Sequence, residues 1–325
     1  MTIDHSPFLA APFIKEIGRG KKGARSMSRA DAHALYAAML DGRVSDLEMG
    51  AVMLAMRIKG ESTEEIAGFL DAGEASFDKL PVPPGAYQPV IIPSYNGARK
   101  MANLTPLLAM LLAREGVPVL VHGVARDPGR VTTAEIFEAM RLPQADTLAG
   151  FQAAVALGHP SFMPIEVLAP KMARRLAARR VLGVRNSTHT LVKIMQPFEG
   201  PALRLVSYTH PEYLAMLGDY FQNAAPHERG DAFLMRGTEG ETVANANRAP
   251  QIDWFHGGQR TTLVEREAPT DVHAEMPENR DAATTAAWIL QALRGEVPVP
   301  PSIIEQVEQI LKVARVGTRA HPTGT

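Results

Sequence analysis

The stretch Val90–Pro106 has the order of features with which many α/β proteins build a phosphate-binding site. An apolar strand pattern comes first, the polar turn Pro93–Gly97 follows, and Arg99 and Lys100 lead into a helix start. The free N–H groups at a helix N-terminus attract phosphate. A phosphate loop usually needs several glycines for close backbone approach, and this turn contains only Gly97. The stretch therefore predicts either an altered phosphate site or another site that requires positive charge.

Basic residues elsewhere in the chain could belong to the same site. Repeated glycine with lysine and arginine suits contacts to phosphate oxygens, and residues 18–25 have this composition. A mobile, solubilising loop would have the same composition. Arg126 and Arg130 follow the next apolar strand, so we expect them at the same sheet edge as Arg99 and Lys100. The basic residues of the glycine-rich segment are Arg19, Lys21, Lys22 and Arg25.

A helix pattern over residues 169–183 carries the last basic group. Its basic residues are Lys171, Arg174, Arg175 and Arg179. Side chains four residues apart share a helix face, so this group predicts a cationic stripe on one uninterrupted helix. The apolar residues expected toward the core are Met172, Leu176 and Val181. A helix face that is merely solvated would give the same pattern.

The overall charge neither requires nor excludes a nucleic-acid partner, but its distribution is uneven. The net charge is −1, from 34 lysines and arginines against 35 aspartates and glutamates. Residues 15–29 contain six basic residues and one acid, and residues 171–193 contain seven basic residues and no acid. An anion-binding surface needs segregation of this kind.

The absence of cysteine limits the chemistry of the protein. With no cysteine in the chain, disulfides, thiolate metal sites and a cysteine nucleophile are excluded. This composition fits a reducing cytoplasm. The longest apolar stretch, near residues 104–112, is too short to cross a bilayer. We expect a soluble cytoplasmic protein with no membrane partner.

Residues from about 13 to 77 have the pattern of an all-helical region. Ser28, Ser45 and Ser62 each precede apolar residues with helical spacing, and serine is a favoured N-cap residue. Glu65 follows Ser62 by three positions, which is the sequence of a capping box. A proline-rich break at residues 81–85 then ends the helical region.

Strand and helix patterns alternate after this break. Strand patterns at residues 90–92 and 117–123 each precede a helix pattern, at residues 105–114 and 132–142. Strands joined through helices by short links predict a parallel sheet with crossover helices.

The order of these elements and motifs resembles the anthranilate phosphoribosyltransferase superfamily. The resemblance covers residues 13–300 and rests on the strings DLEMGAVMLAMRIKGESTEEIAGF, ANLTP, VHG, LGVRNSTHTL and RGTEGETVAN. It implies an α/β protein with a small all-helical N-terminal domain and a larger α/β domain around a mostly parallel central sheet. The implied helical domain is residues 1–82, joined by helices from about 163–192. The implied α/β domain is residues 83–162 and 193–325.

Several positions that the resemblance assigns to substrate binding differ in this sequence. The family's Gly-Thr-Gly-Gly-Asp loop, which binds phosphoribosyl pyrophosphate, corresponds to Pro93–Gly97, where a proline lacks an N–H and side chains replace glycines. The lysine and asparagine of its Lys-His-Gly-Asn motif correspond to Val121 and Val124. Its magnesium-binding Asp-Glu pair corresponds to Thr242 and Val243, although magnesium needs hard oxygen ligands. We therefore expect no catalytic residue, no cofactor and no metal.

Other positions of the family's substrate cleft are polar or retained. Arg179 corresponds to the arginine that holds the anthranilate carboxylate. The remnant cleft is expected to contain Ser94, Tyr95, Asn96, Gly97, Asn103, Thr105, His122, Gly123 and Arg179. Tyr95 could stack on a nucleic-acid base or pack locally. His122 and His189 lack a second ligand at close spacing, which favours core roles over metal binding.

The strings KEIGRGK, IPSYNGARK, NLTPLL and GVRNSTHTL resemble one branch of the superfamily, the YbiB-type proteins. This resemblance implies a homodimer, formed through the helical domain, that binds DNA or RNA and lacks transferase activity. Binding through phosphates would be independent of sequence, and the glycine-rich segment should matter most. The expected nucleic-acid-binding residues are Arg19, Lys21, Lys22, Arg25, Arg99, Lys100, Arg126, Arg130, Lys171, Arg174, Arg175 and Arg179. The competing hypothesis is a glycosyl- or phosphoribosyltransferase with an unidentified substrate, favoured by the retained fold and Arg179.

Overall fold

The computed structural model describes residues 6–267 and 274–317. Its helices are α1 (Ala11–Ile17), α2 (Gly20–Gly23), α3 (Arg29–Leu40), α4 (Asp46–Lys59), α5 (Thr63–Glu74), α6 (Thr105–Arg114), α7 (Thr133–Ala139), α8 (Leu148–Ala156), α9 (Ile165–Leu168), α10 (Pro170–Ala177), α11 (Arg179–Leu182), α12 (Thr188–Leu191), α13 (Pro211–Asn223), α14 (Ala282–Arg294) and α15 (Pro301–Ala314). Its strands are β1 (Val90–Ser94), β2 (Val119–Gly123), β3 (Ser161–Pro164), β4 (Leu203–Tyr208), β5 (Ala232–Arg236), β6 (Ile252–His256) and β7 (Gln259–Val264).

The N-terminal helices begin at the serines that the sequence indicated. The side chain of Ser28 accepts a hydrogen bond from the Asp31 backbone N–H at the start of α3. Ser45 and Ser62 form complete capping boxes at the starts of α4 and α5. Each box satisfies backbone donors that have no partner within the helix. The predicted all-helical region is confirmed.

The seven strands form one sheet in the order β3-β2-β1-β4-β5-β6-β7. Strands β1 to β5 pair in parallel, and β6 and β7 add an antiparallel edge. The prediction of a mostly parallel sheet is confirmed. Because the carboxyl ends of parallel strands meet at one edge, the loops that follow β1, β2 and β5 lie together.

Alternate residues of β1 face two different hydrophobic cores. Val90 and Ile92 join a core with side chains from α6, α7, α14 and α15. Ile91 joins the other core, which continues into the N-terminal helices α3, α4 and α5. The period-two alternation of a strand therefore connects the sheet to helices on both faces.

The uninterrupted helix expected over residues 169–183 is wrong. The segment breaks at Ala178 into α10 and the single turn α11, and Val181, expected in the core, is 89% exposed. Leu182 instead lies beside α4, where Gly50 leaves room: a Cβ at Gly50 would lie 3.8 Å from Leu182 Cδ2.

Ion pairs tie the N-terminal helices to the sheet. Arg29 Nε lies 2.6 Å from Asp71 Oδ2, and Arg229 Nη2 lies 2.8 Å from Asp71 Oδ1. Arg229 also approaches Glu74, with 3.3 Å between Nε and Oε2. Glu74 further binds Lys79 at 3.1 Å. Asp71 and Glu74 belong to α5, whereas Arg229 precedes β5, so this network joins the two parts of the molecule.

The remaining predictions about organisation concern membrane-spanning segments and domain boundaries. Within the described residues, no helix combines the length and the apolar character that a membrane-spanning segment requires. The domain boundaries near residues 82, 162 and 192 stay a prediction.

Candidate anion-binding cleft

The loops after β1 and β2 are joined into one surface. Ser94 and Gly123 are paired at the strand ends. Beyond them the Ala98 N–H donates to the Val131 carbonyl at 2.7 Å, and the Val131 N–H donates back at 3.1 Å. Gly97 has φ +65°, and a Cβ there would lie 2.6 Å from the Val131 carbonyl oxygen. Glycine is therefore required where the two loops meet.

Two glutamates that the sequence reasoning missed bind the backbone of the β1 loop (residues 95–101). Glu241 Oε1 accepts hydrogen bonds from the N–H groups of Asn96 and Gly97, at 2.7 and 2.6 Å. Glu239 accepts hydrogen bonds from three N–H groups further along the loop. Its donors are Arg99 at 2.8 Å, Lys100 at 3.0 Å and Met101 at 3.2 Å. Both carboxylates belong to the acidic turn (residues 238–241), which follows β5 at the same sheet edge.

Basic side chains surround the same loop. Arg130 Nη1 donates to the Asn96 carbonyl at 3.0 Å, and Arg185 Nη2 donates to Asn96 Oδ1 at 2.8 Å. Lys193 Nζ donates to the Gly240 carbonyl at 3.1 Å. Burial lowers the pKa of Lys193 to about 8, although the nearby carboxylate of Glu241 acts in the opposite direction.

Five cations share this cleft, and they influence one another. Burial lowers the pKa of Arg185, and the positive charges of Arg179, Arg130 and Arg57 lower it further. We call Arg57, Arg130, Arg179, Arg185 and Lys193 the cleft cations. Arg57 belongs to α4, Arg130 to the loop after β2 and Arg179 to α11, while Arg185 and Lys193 lie between α11 and β4. Arg130 and Arg179 were predicted from the sequence, whereas Arg57, Arg185 and Lys193 were missed. Arg185 and Lys193 belong to the acid-free interval 171–193, and Arg57 lies near the end of α4.

Most of the predicted remnant cleft is a packed polar cluster, whereas Arg179 is exposed. Ser94 Oγ lies 2.7 Å from Thr133 Oγ1, which also accepts a hydrogen bond from Asn103 Nδ2 at 2.7 Å. Asn103 Oδ1 accepts from the Thr105 N–H at 3.0 Å. Gly123 packs against β1, because a Cβ there would lie 1.7 Å from the Ser94 carbonyl oxygen. These side chains hold the loops rather than line an open pocket.

The partly buried Tyr95 and the buried His122 form a pair within this cluster. The Tyr95 hydroxyl lies 2.7 Å from His122 Nδ1, and the rings meet edge to face. Burial raises the pKa of Tyr95 well above its ordinary value and lowers the pKa of His122 to about 3. Both groups are therefore neutral at physiological pH. The local packing predicted for Tyr95 accounts for these contacts, and base stacking by Tyr95 stays a prediction.

The glycine-rich segment differs from its expected form. It contains the helical turn α2. Both of its arginines form ion pairs with the carboxylate of Glu16, at 2.5 Å from Arg19 Nη2 and 3.7 Å from Arg25 Nη1. Lys22 is exposed. The side chain of Lys21 lies outside the described part of the structure. Glu16 reduces the net charge of this segment, so its expected rank as the strongest basic group loses support.

The helix group does not form the expected stripe. Lys171 Nζ pairs with Asp41 Oδ1 at 2.7 Å. Arg175 is half-buried, its Nη1 lies 3.4 Å from the sulfur of Met49, and burial lowers its pKa. Arg174 and Arg179 are exposed and, within the described residues, have no carboxylate partner. Ala178 ends α10, so Arg179 belongs to the separate helical turn α11.

The remaining predicted residues lie around the β1 loop. The side chains of Arg99 and Lys100 are exposed, while their backbone N–H groups bind Glu239. Arg126 Nη2 pairs with Glu138 Oε2 at 2.5 Å on the surface.

The positions that would hold magnesium in the resembling family do not fit that ion. Thr242 and Val243 are both buried, and the valine offers no oxygen ligand. Within residues 6–267 and 274–317, no three histidine or acidic side chains cluster as metal ligands.

Comparison with known proteins assigns the family. Residues 11–76 match the helical bundle domain of a glycosyl transferase family. The uncharacterized protein YbiB of Escherichia coli strain K12 is 48% identical over 293 residues, which cover 89% of each chain. This chain belongs to the YbiB family.

The YbiB family shares its fold with the anthranilate phosphoribosyltransferases. The enzyme of that name from Methanopyrus kandleri is 27% identical over 287 residues, 84% of this chain and 81% of the relative. The crystal structure of the Thermus thermophilus enzyme has a TM-score of 0.68 at 19% identity, covering 93% of this chain and 88% of that chain. The predicted superfamily and fold are confirmed.

Proposed function

We propose that this protein is a cytoplasmic homodimer that binds DNA or RNA through the phosphate backbone, independently of base sequence, and that it does not transfer phosphoribosyl groups. The observation that carries the proposal is the set of cleft cations. Arg57, Arg130 and Arg179 each lie close enough to Arg185 to disfavour its positive charge.

A group of like charges costs free energy unless an anion neutralises it. Glu241 acts on Lys193, but Arg57, Arg179 and Arg185 have no carboxylate partner among the described residues. The exposed Arg174, Arg179 and Arg180 extend positive charge from the cleft onto the surface. A nucleic-acid backbone supplies successive anions over such a distance, and phosphate contacts carry no base information.

A salt titration tests nucleic-acid binding directly. Fluorescence anisotropy with single- and double-stranded DNA and with RNA, each in two unrelated sequences, should give similar affinities for the two sequences. The logarithm of the binding constant should fall steeply and linearly with the logarithm of the salt concentration. Affinity that is insensitive to salt, or binding to one sequence only, would refute the proposal.

The alternative activity, transfer of a glycosyl or phosphoribosyl group to an unidentified substrate, rests on the fold and on Arg179. The occupied N–H groups of the β1 loop and the buried Val243 argue against it. Calorimetry with phosphoribosyl pyrophosphate and magnesium distinguishes the two functions. Micromolar binding that requires magnesium would favour the transferase.

The proposed dimer would form through the helical domain. Leu47, Leu54 and Ile58 are exposed on one face of α4, at spacings of seven and four residues. Sedimentation velocity of a Leu47→Asp/Leu54→Asp variant should show a monomer. Leu157→Asp, which changes another exposed leucine directly after α8, is the matched control and should remain dimeric. A parent protein that sediments as a monomer would refute this part of the proposal.

A further inference from the structure

Every backbone N–H from residue 96 to residue 101 has a partner from the protein itself. Glu241 binds the N–H groups of Asn96 and Gly97. Ala98 donates to the Val131 carbonyl. Glu239 binds the N–H groups of the three residues that follow. Adjacent N–H groups that point at one oxygen form a concave anion site, and this loop has two of them.

The acidic turn is built so that its two carboxylates reach these sites. Glu239 has φ +53°, a left-handed conformation that costs free energy for a residue with a side chain. Gly240 has φ +93°, and a Cβ there would lie 2.4 Å from Asn96 Nδ2. Lys193 and Ser207 both donate to the Gly240 carbonyl, which fixes the turn against the loop.

The carboxylate of Glu241 occupies the position that an external anion would take on the β1 loop. It is 1% exposed, and one oxygen accepts both N–H groups while Oε2 has no hydrogen-bond partner. A buried carboxylate that lacks a partner for one oxygen is costly unless nearby positive charge compensates it. Lys193 supplies that charge, and Arg130 and Arg185 bind the adjacent Asn96.

We propose that Glu239 and Glu241 are internal ligands of an anion-binding loop, and that they close it to external anions of the diphosphate type. The two carboxylates on one turn take the positions of two linked anionic groups. When the carboxylates are removed, the N–H groups of the loop together with Lys193, Arg130 and Arg185 form a site for pyrophosphate. This inference goes beyond nucleic-acid binding and holds whether or not nucleic acid binds.

Calorimetry with sodium pyrophosphate, in buffer containing EDTA at fixed ionic strength, tests the proposal. The parent should show no saturable binding. The affinity of Glu241→Ala for pyrophosphate should exceed that of the parent by about tenfold or more. Glu239→Ala/Glu241→Ala should bind pyrophosphate more tightly still, since charge-assisted hydrogen bonds from the loop become available. Glu138→Ala, which removes a surface carboxylate paired with Arg126, is the matched control and should behave as the parent does.

A second variant assigns the binding to this site. Lys193→Met in the Glu241→Ala background should abolish the gained affinity for pyrophosphate. If Glu241→Ala does not fold alone, pyrophosphate should restore a cooperative thermal transition, because a ligand that binds only the folded state stabilises it. The proposal is overturned if the parent binds pyrophosphate as tightly as the variant does, or if neither binding nor restored folding is seen in Glu241→Ala.

Discussion

The β1 loop and the surface around α11 contain similar basic residues but use them differently. Around the β1 loop, carboxylates of the same chain occupy the N–H groups, and Lys193 faces Glu241. Around α11, Arg174, Arg179 and Arg180 extend into solvent without a carboxylate partner in the described part of the chain. Basic composition alone therefore does not identify an anion-binding surface. The distinguishing property is whether the protein already supplies the anion.

The largest expected effect concerns the solvent-facing arginines. Arg174→Ala/Arg179→Ala/Arg180→Ala should weaken DNA binding about a hundredfold near 0.1 M salt and flatten the salt slope by about 2–3, through the loss of three phosphate contacts. Anisotropy titrations measure both quantities. Lys171→Ala, whose charge Asp41 already neutralises, is the matched control and should change binding little. Equal effects of the control and the triple variant would remove the distinction between paired and unpaired basic residues.

The next effect concerns the closed loop. Glu241→Gln should lower the free energy of unfolding by about 2–3 kcal/mol, because two charge-assisted hydrogen bonds become neutral and Lys193 loses its nearest negative charge. Urea denaturation measures this change. Glu138→Gln, on the surface, should change it by less than about 0.5 kcal/mol. A stability equal to that of the parent would mean that the carboxylate is not a structural ligand of the loop.

The buried His122 should make the protein sensitive to mild acid. Its folded pKa of about 3 lies below the ordinary value of 6.5, so the unfolded state gains a proton first as the pH falls. The stabilisation that neutral His122 contributes is complete above pH 6.5, and about 2 kcal/mol of it is lost by about pH 5. His122→Gln should therefore lose about that much less stability than the parent between neutral pH and about pH 5. Parallel stability curves for parent and variant would contradict this.

The smallest effect concerns Glu239, which is partly exposed. Partial burial would raise its pKa, but hydrogen bonds from three backbone N–H groups lower it below the ordinary 4.5. Its stabilisation is therefore present above the unfolded-state pKa and disappears as the pH falls through the lower, folded-state value. Glu239→Gln should cost about 1 kcal/mol at neutral pH, since solvent screens the charge, and almost nothing in strong acid. Thermal melts across the acidic range measure the difference, and a cost independent of pH would contradict it.

Local signals in the sequence were sufficient for much of the fold. Ser62 with Glu65 predicts a helix start because a capping box is complete within four residues, and the structure shows the same box at Ser45 and Glu48. The helix pattern that links the apolar strands β1 and β2 predicts that these strands are parallel, and they pair in that way. Strand β6 was missed because Asp253 interrupts its apolar pattern. That aspartate accepts hydrogen bonds from Gln251, Arg260 and Thr262.

The candidate site depended on longer-range contacts. Glu241 binds residues 144 and 145 positions away, so no local pattern could pair it with the β1 loop. Glu16, in contrast, lies three residues from Arg19, a spacing at which an ion pair could be expected. The error over the helix at 169–183 arose because Ala178, where the helix breaks, is itself a good helix former.

The ion pairs of Asp71 and Glu74 have a consequence for kinetics. To swing the N-terminal helices away from the sheet would expose both carboxylates and leave Arg229, which is 19% exposed, without its partners. Breaking a buried pair of this kind costs several kcal/mol. These ion pairs therefore hold the N-terminal helices against the sheet in the folded protein. A ligand would meet a preorganised surface with no closing step, so its association rate should follow electrostatic steering and slow as salt is added.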